Sequence, residues 1–232
     1  MTTDIHTSSK SQTPWGGLAV AAAGVVAMVV ASVLFWPDMA QTLVTREAAG
    51  NHGQSEVSRG FTAVAMPLTL VVLAALFAVG PRLDQKYLGR LRLNAGRNLR
   101  NASRVLSYVL AGLTVVLLVI HLGLLSMFAG RDYPIEEAVA AGVGFLLVLL
   151  GIALPLARPE GDFQTPWLNR YRDALGSSYR RAAYLLIALG LVVMVFAFIA
   201  PVVSMVVAAL AVLVVFGGTG LLAAIRASRP GQ

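Results

Sequence analysis

Apolar residues along this chain fall into six long runs, and polar residues gather in the segments between them. A helix needs roughly 20 apolar residues to cross a bilayer, and each run approaches or exceeds that length. The apolar positions are continuous and do not alternate with polar ones, which favours helices over the strands of a membrane barrel. We therefore predict an all-α polytopic membrane protein with six transmembrane helices. The predicted spans are 17–35, 61–79, 105–127, 138–156, 182–200 and 202–225.

The polar segments suggest how the chain is organised. The first apolar run has no clear cleavage site, so we expect a retained helix and not a removed signal peptide. Spans five and six meet at Ala200-Pro201 and should form a tight hairpin. The predicted parts are a polar leader at 1–16, a two-helix membrane unit with a basic loop at 17–104, a four-helix membrane unit at 105–225 and a tail at 226–232.

Composition supports a membrane protein. The chain is 57% hydrophobic and 12% charged, whereas soluble domains average about 25% charged residues. The chain has no cysteine, which excludes disulfides, thiolate metal ligands and cysteine nucleophiles. We expect no metal, no cofactor and no catalytic residues.

The basic residues predict an orientation. Three of the 18 basic residues, Arg46, Arg59 and Arg131, lie on one predicted side and all the others lie on the opposite side. The positive-inside rule therefore places both termini in the cytoplasm. The same rule explains the net charge of +7, so we expect no direct binding of nucleic acid. The predominance of arginine over lysine is typical of a GC-rich bacterial genome.

Small and kinking residues predict contacts between helices. Span one has Ala19, Ala23, Ala27 and Ala31 at a spacing of four, a stripe that predicts close approach of another helix. Pro67 and Pro155 within spans two and four, and Gly217, Gly218 and Gly220 within span six, can kink or loosen those helices.

Span three contains a polar face. Ser107, Thr114 and His121 lie at a spacing of seven, so they share one face, which we expect to point into the bundle. His121 is the one ionisable side chain clearly inside a predicted span, and such residues are functional candidates. A structural hydrogen bond to a neighbouring helix is the favoured interpretation, and a proton-linked or ligand-binding role remains open. The sequence suggests no serine–histidine pair at one depth, which argues against an intramembrane enzyme.

The segment between spans four and five predicts an amphipathic helix at the membrane surface. Thr165 suits a helix cap and Pro166 suits a first turn. Trp167 and Tyr171 then lie on an apolar face, and Gly176 is the expected end of this short helix. Two roles remain open, an anchor among lipid headgroups or a recognition surface. The loop between spans two and three has a similar basic amphipathic pattern, suited to the inner leaflet.

These motifs resemble the SdpI family of bacterial six-span membrane proteins. The family carries arginine-proline, then Thr-Pro-Trp, then an aromatic-basic stretch that enters span five. The front half resembles a small domain of unknown function that is often fused to the family. The matching residues are Arg158-Pro159, Thr165-Pro166-Trp167 and Tyr179-Arg180-Arg181 in the second half, and Pro37-Asp38, Gly50, Pro67 and Pro81-Arg82-Leu83-Asp84 in the first half.

The resemblance implies a non-enzymatic immunity or sensor protein. Such proteins protect a bacterium from a secreted membrane-active peptide toxin, and some hold a transcriptional repressor at the membrane. On this chain, the outer loops would meet the toxin. The alternative is a small transporter or exporter component. The residues implied to face a cytoplasmic partner are Arg82, Asp84, Thr165, Pro166, Trp167, Tyr171, Arg180 and Arg181.

Overall fold

The computed structural model describes residues 13–46, 55–87, 99–157 and 165–228. Its six helices are each long and apolar enough to cross a membrane, which confirms the predicted all-α six-span fold. Residues 1–12, 47–54, 88–98, 158–164 and 229–232 lie outside the described residues, and so do Gly50 and Arg158-Pro159 of the family resemblance. The helices are α1 (Trp15–Phe35), α2 (Arg59–Tyr87), α3 (Leu99–Phe128), α4 (Ile135–Ala153), α5 (Pro166–Phe196) and α6 (Pro201–Ser228).

A two-stranded hairpin precedes α2, and the sequence pattern did not predict it. Strand β1 (Thr42–Arg46) pairs antiparallel with β2 (Ser55–Ser58), with Thr42 opposite Ser58 and Val44 opposite Glu56. The register shifts between Val44 and Arg46. β-Branched residues in both strands favour extended backbone, but the strands are too short to stand out beside the apolar runs.

Successive helices run in opposite directions, which gives the bundle two faces. The terminal face carries the starts of α1, α3 and α5 and the ends of α2, α4 and α6. The hairpin face carries the β-hairpin, the α3–α4 turn at 129–134 and the α5–α6 turn at 197–200. That last turn confirms the tight hairpin predicted at Ala200-Pro201.

Helices α1 and α3 pack in parallel at very short range. A Cβ placed on Gly17 would lie 2.6 Å from the Cα of Ser107, and one on Gly24 would overlap with Thr114. Close approach in lipid depends on such small residues. The predicted alanine stripe is wrong as a contact face: Ala19, Ala23 and Ala27 are exposed and Ala31 is half-buried. A buried cluster that includes Met28, Leu70 and Leu110 fills the space shared by α1, α2 and α3.

Helices α4 and α5 form a second close pair, packed antiparallel. A Cβ on Gly144 would lie 2.8 Å from the carbonyl oxygen of Gly190, and one on Gly190 would lie 2.6 Å from that of Gly144. A cluster around Leu147, Leu186 and Val193 continues this contact and extends to α6. At Pro155 the α-helical part of span four has already ended at Ala153, and a 3₁₀ turn (Leu154–Ala157) completes the span. The division into units at residues 104 and 105 stays a prediction.

Helix α5 is one continuous helix of 31 residues. The predicted break at Gly176 is wrong, so the amphipathic segment is the first part of the fifth transmembrane helix and not a separate surface helix. Gly176 has nothing within 4 Å of a Cβ placed on it and therefore lies in open space. In the other basic loop, Leu83 and Tyr87 similarly belong to the end of α2.

Apolar side chains cover the outside of the bundle. The exposed fraction is 74% for Phe198 and Ile199 and 69% for Leu213 and Val214. Such a surface is costly in water and favourable among lipid tails. The distribution of exposed apolar residues therefore agrees with the membrane location inferred from helix length.

Candidate functional site

His121 lies at the centre of a buried polar site formed by three helices. Its Nε2 is 3.0 Å from Oγ of Ser32 and 3.1 Å from the carbonyl oxygen of Met28, both in α1. The Ser32 hydroxyl lies 3.4 Å from the carbonyl oxygen of Ala63 in α2. His121 is fully buried and Ser32 is 8% exposed. The site therefore ties α1, α2 and α3 together within the membrane.

The geometry assigns the proton on His121. A carbonyl oxygen only accepts hydrogen bonds, so Nε2 carries the hydrogen and donates it toward Met28. The Ser32 hydroxyl accepts from the same N–H and donates its own hydrogen to Ala63. Nδ1 is then an acceptor, and within the described part of the chain it has no partner.

The rest of the polar face confirms the predicted direction of α3. Thr114 is 3% exposed and Ser107 is half-buried, both beside α1. Their hydroxyls donate to Leu110 and Ser103 of their own helix at 2.8 and 3.0 Å. Of the three residues on this face, His121 is the one that forms the hydrogen bond between helices.

The expectation that no serine and histidine meet at one depth is wrong, because Ser32 and His121 are in contact. The pair is poorly arranged for nucleophilic attack. A general base needs a free Nε2 lone pair directed at the hydroxyl, and here Nε2 carries a proton. Ser32 is the one hydroxyl residue in α1, a signal that could have identified it as the partner of His121.

Aromatic and charged contacts at the hairpin face lie above this polar site. Arg131 forms an ion pair with Asp38 at 2.5 Å, and its guanidinium carbon is 4.8 Å from the ring centroid of Phe35. Arg59 stacks over Trp36 at 4.6 Å. These contacts were not predicted, because they join residues that are distant in sequence.

A buried methionine fixes the same face to α3. Met39 is 4% exposed and packs against Leu125 and Phe128. The backbone N–H of Ala40 donates to the carbonyl of Phe128 at 2.9 Å. The end of α1 is therefore held directly above the buried site on α3.

At the terminal face, Thr165-Pro166-Trp167 starts α5. Thr165 takes the extended N-cap conformation and Pro166 occupies the first turn, as predicted, but the Thr165 side chain makes no capping hydrogen bond. The rings of Trp167 and Tyr171 stack 5.5 Å apart at 13°. Trp167 is 39% exposed, and Tyr171 reaches toward Gly220 of α6. The helix start thus presents an exposed tryptophan that is stacked on a half-buried tyrosine.

The other candidate residues lie away from this pair. Arg180 and Arg181 are exposed on α5, about 13–15 Å along the helix from Tyr171 at 1.5 Å per residue. Arg82 and Asp84 belong to the last turns of α2, and their side chains lie outside the described residues. The structure therefore brings together Thr165, Pro166, Trp167 and Tyr171, and it separates them from Arg180 and Arg181.

Comparison of the chain with protein-family models, curated proteins and solved structures found no match. Among the residues that the structure describes, no group of three or more histidine, aspartate or glutamate side chains is placed to hold a metal ion.

Proposed function

We propose that this chain is a non-enzymatic immunity or sensor protein of the bacterial cytoplasmic membrane. It protects the cell from a secreted membrane-active peptide toxin that approaches the hairpin face. In this proposal the terminal face lies in the cytoplasm, as the distribution of basic residues favours. The start of α5 then contacts a cytoplasmic repressor protein.

The stacked pair of exposed Trp167 and half-buried Tyr171 at the start of α5 is the observation that carries the proposal. Thr165-Pro166-Trp167 is the most specific element of the family resemblance, and in the structure it forms a helix start whose tryptophan is 39% exposed. Exposed, rigid tryptophan and tyrosine rings are frequent centres of protein–protein recognition. Stacking on Tyr171 restricts the Trp167 ring, which lowers the entropy lost when a partner binds.

The buried site favours this function over the alternative of a small transporter. A coupled transporter needs ionisable side chains along a substrate path. His121 is fully buried, and its Nε2 is used to join α3 to α1. The geometry supports a structural role for His121, and the transporter remains the second candidate.

The central experiment is Trp167→Ala in cells challenged with the toxin. We expect loss of protection or of repressor capture, with unchanged membrane insertion, because the exposed ring contributes to contact and little to packing. Trp15→Ala is the matched control, since Trp15 is also at the terminal face and is 75% exposed. It should retain full activity.

Two outcomes would contradict the proposal. If the Trp167→Ala protein still gave full protection and still captured the repressor, the aromatic pair would have no role in this function. Substrate uptake into proteoliposomes that is lost in His121→Leu would instead support the transporter.

A further inference from the structure

Two close contacts set the relative levels of α3, α4 and α5 along the bundle. A Cβ on Gly112 of α3 would lie 3.4 Å from the Cα of Leu146 in α4. A Cβ on Gly151 of α4 would lie 2.8 Å from the carbonyl oxygen of Ala183 in α5. Gly151 follows Leu146 by five residues, or about 7.5 Å of helix in the direction of the terminal face. Ala183 therefore lies about 7.5 Å nearer that face than Gly112.

Arginines of α3 and α5 share one level on this scale. Arg104 precedes Gly112 by eight residues, or about 12 Å of helix. Arg181 precedes Ala183 by two residues, or about 3 Å, so both arginines are about 10–12 Å nearer the terminal face than Gly112. Both are exposed, and exposed arginines at the ends of transmembrane helices extend to the lipid headgroups. This position, the arginine level, marks the headgroup region at the terminal face.

The start of α5 and the end of α6 extend beyond the arginine level. Helix α5 begins 15 residues before Arg181, or about 22 Å. Tyr171 lies about 15 Å beyond Arg181, and its Oη would be 3.8 Å from a Cβ on Gly220 in α6. A tyrosine side chain cannot span the distance back to Arg181, so Gly220 and the later residues of α6 also lie beyond the arginine level. Ala223 and Ala227, on the same face of α6 as Gly220, are 0% and 1% exposed, which shows that the two helices pack together here.

This extension, formed by residues 166–179 and 220–228, exposes apolar side chains outside the hydrocarbon core. The exposed fractions are 63% for Leu221, 51% for Leu222 and 44% for Ile225. Beyond the arginine level these side chains meet headgroups and water, where exposed apolar area costs free energy. A contiguous apolar patch in such surroundings is typical of a protein interaction site.

The charge of the extension indicates the chemistry of the partner. Arg172 is paired with Asp173 at 2.9 Å. Arg170 and Arg226 are exposed, and they form no ion pair with any residue that the structure describes. Two uncompensated positive charges thus lie beside the apolar patch, and they favour a partner that carries carboxylates. An amphipathic helix presents an apolar face and flanking charges together.

We propose that the extension docks an acidic amphipathic helix of a cytoplasmic protein. The apolar patch of α6 and the exposed ring of Trp167 contact the apolar face of that helix, and Arg170 and Arg226 pair with carboxylates beside it. This inference rests on the proposed function, in which the terminal face lies in the cytoplasm and the start of α5 contacts a repressor. It adds the end of α6 to the docking surface and defines the partner's chemistry. Acyl chains do not fit there, because the patch lies beyond the arginine level.

A spin label at position 222 tests where the apolar patch lies. The chain has no cysteine, so the Leu222→Cys and Leu213→Cys proteins each carry a single nitroxide in nanodiscs of phosphatidylcholine. Leu213 is 69% exposed and lies in the middle of α6, which makes it the lipid-facing control. We expect a water-soluble nickel chelate to relax the label at 222 more than the label at 213. Dissolved oxygen, which concentrates among acyl chains, should do the opposite.

Two synthetic helical peptides test the chemistry of the partner. One has leucine on one face and glutamate on the other, and the second has lysine in place of glutamate. We expect the glutamate peptide to bind nanodiscs that contain the protein, measured by fluorescence anisotropy of a dye on the peptide. It should also block access of the nickel chelate to the label at 222. The lysine peptide should do neither, and empty nanodiscs should bind less of the glutamate peptide.

Charge variants complete the test. The Arg170→Gln, Arg226→Gln protein should bind the glutamate peptide about two- to thirtyfold more weakly, as expected for the loss of two exposed ion pairs. The matched control is Arg180→Gln, Arg181→Gln, which removes the same charge near the arginine level. These two residues are more than about 13 Å of helix from Tyr171, beyond a screening length of about 8 Å at physiological salt. The control should therefore keep its affinity within about twofold.

Three results would overturn the proposal. Equal access of oxygen to the labels at 222 and 213 would place the patch among acyl chains. Shielding of the label at 222 from the nickel chelate without any peptide would mean that this chain or a second copy covers the patch. Absent binding of the glutamate peptide, or equal binding of the lysine peptide, would exclude an acidic partner helix. None of these readouts involves toxin protection, whereas the proposed function fails separately if the Trp167→Ala protein still protects the cell.

Discussion

The hydrogen bond between Ser32 and His121 should stabilise the fold by a measurable coupling free energy. Both residues are buried and their polar atoms are 3.0 Å apart. Hydrogen bonds between transmembrane helices average about 0.6 kcal/mol in double-mutant cycles, with a maximum near 1.7 kcal/mol. Because Nε2 also contacts Met28 and both side chains are buried, we expect the upper half of that range, about 1–1.7 kcal/mol. The cycle comprises Ser32→Ala, His121→Leu and the double variant.

The free energy of unfolding in mixed detergent micelles measures this coupling. His121→Gln and His121→Asn separate the hydrogen bond from simple packing. A glutamine amide reaches the position of Nε2 and can donate to Met28, whereas an asparagine amide is too short. Glutamine should therefore retain part of the coupling with Ser32, and asparagine should lose it. A coupling near zero, or asparagine outperforming glutamine, would refute the assigned donor and the role of the site in joining α1 to α3.

Other contacts give further expectations for the same unfolding measurement. Gly144→Ala should destabilise the protein by about 1–3 kcal/mol through overpacking, since its Cβ would meet backbone atoms of Gly190 and Met194 at 2.8 and 2.9 Å. Gly218→Ala is the matched control and should cause no loss of stability, because nothing lies within 4 Å of the new Cβ. Similar losses of stability in the two variants would contradict the close packing of α4 against α5. Asp38→Asn should cost less than about 1 kcal/mol, because the side chains of its ion pair with Arg131 are 49% and 56% exposed; a larger loss would show that this pair is structurally essential.

The number of helices and their approximate bounds were predictable, because a transmembrane helix is a continuous run of apolar residues of known length in the sequence. The hairpin and the exact partner of His121 were not, since both depend on residues brought together across the fold. Ser32 and His121 are 89 positions apart. The continuity of α5 through Gly176 also escaped prediction. Its early turns pack beside α6 through Tyr171 and Gly220, and such tertiary contact offsets the weak helix propensity of one glycine.

The incorrect alanine stripe shows why small residues alone do not identify a helix contact in lipid. An alanine facing acyl chains costs little, because its methyl group is as apolar as its surroundings. A helix whose backbone touches a neighbouring helix instead needs glycine, which has no Cβ, at the point of contact. At Gly17 that atom would lie 2.6 Å from the Ser107 Cα, so even alanine is excluded there. The seven-residue spacing of Gly17 and Gly24 matches that of Ser107 and Thr114 on α3. Seven residues further along the same face of α3, His121 meets Met28 and Ser32. The glycine spacing on one helix and the polar spacing on the other therefore define a single interface, which becomes evident only when the two helices are considered together.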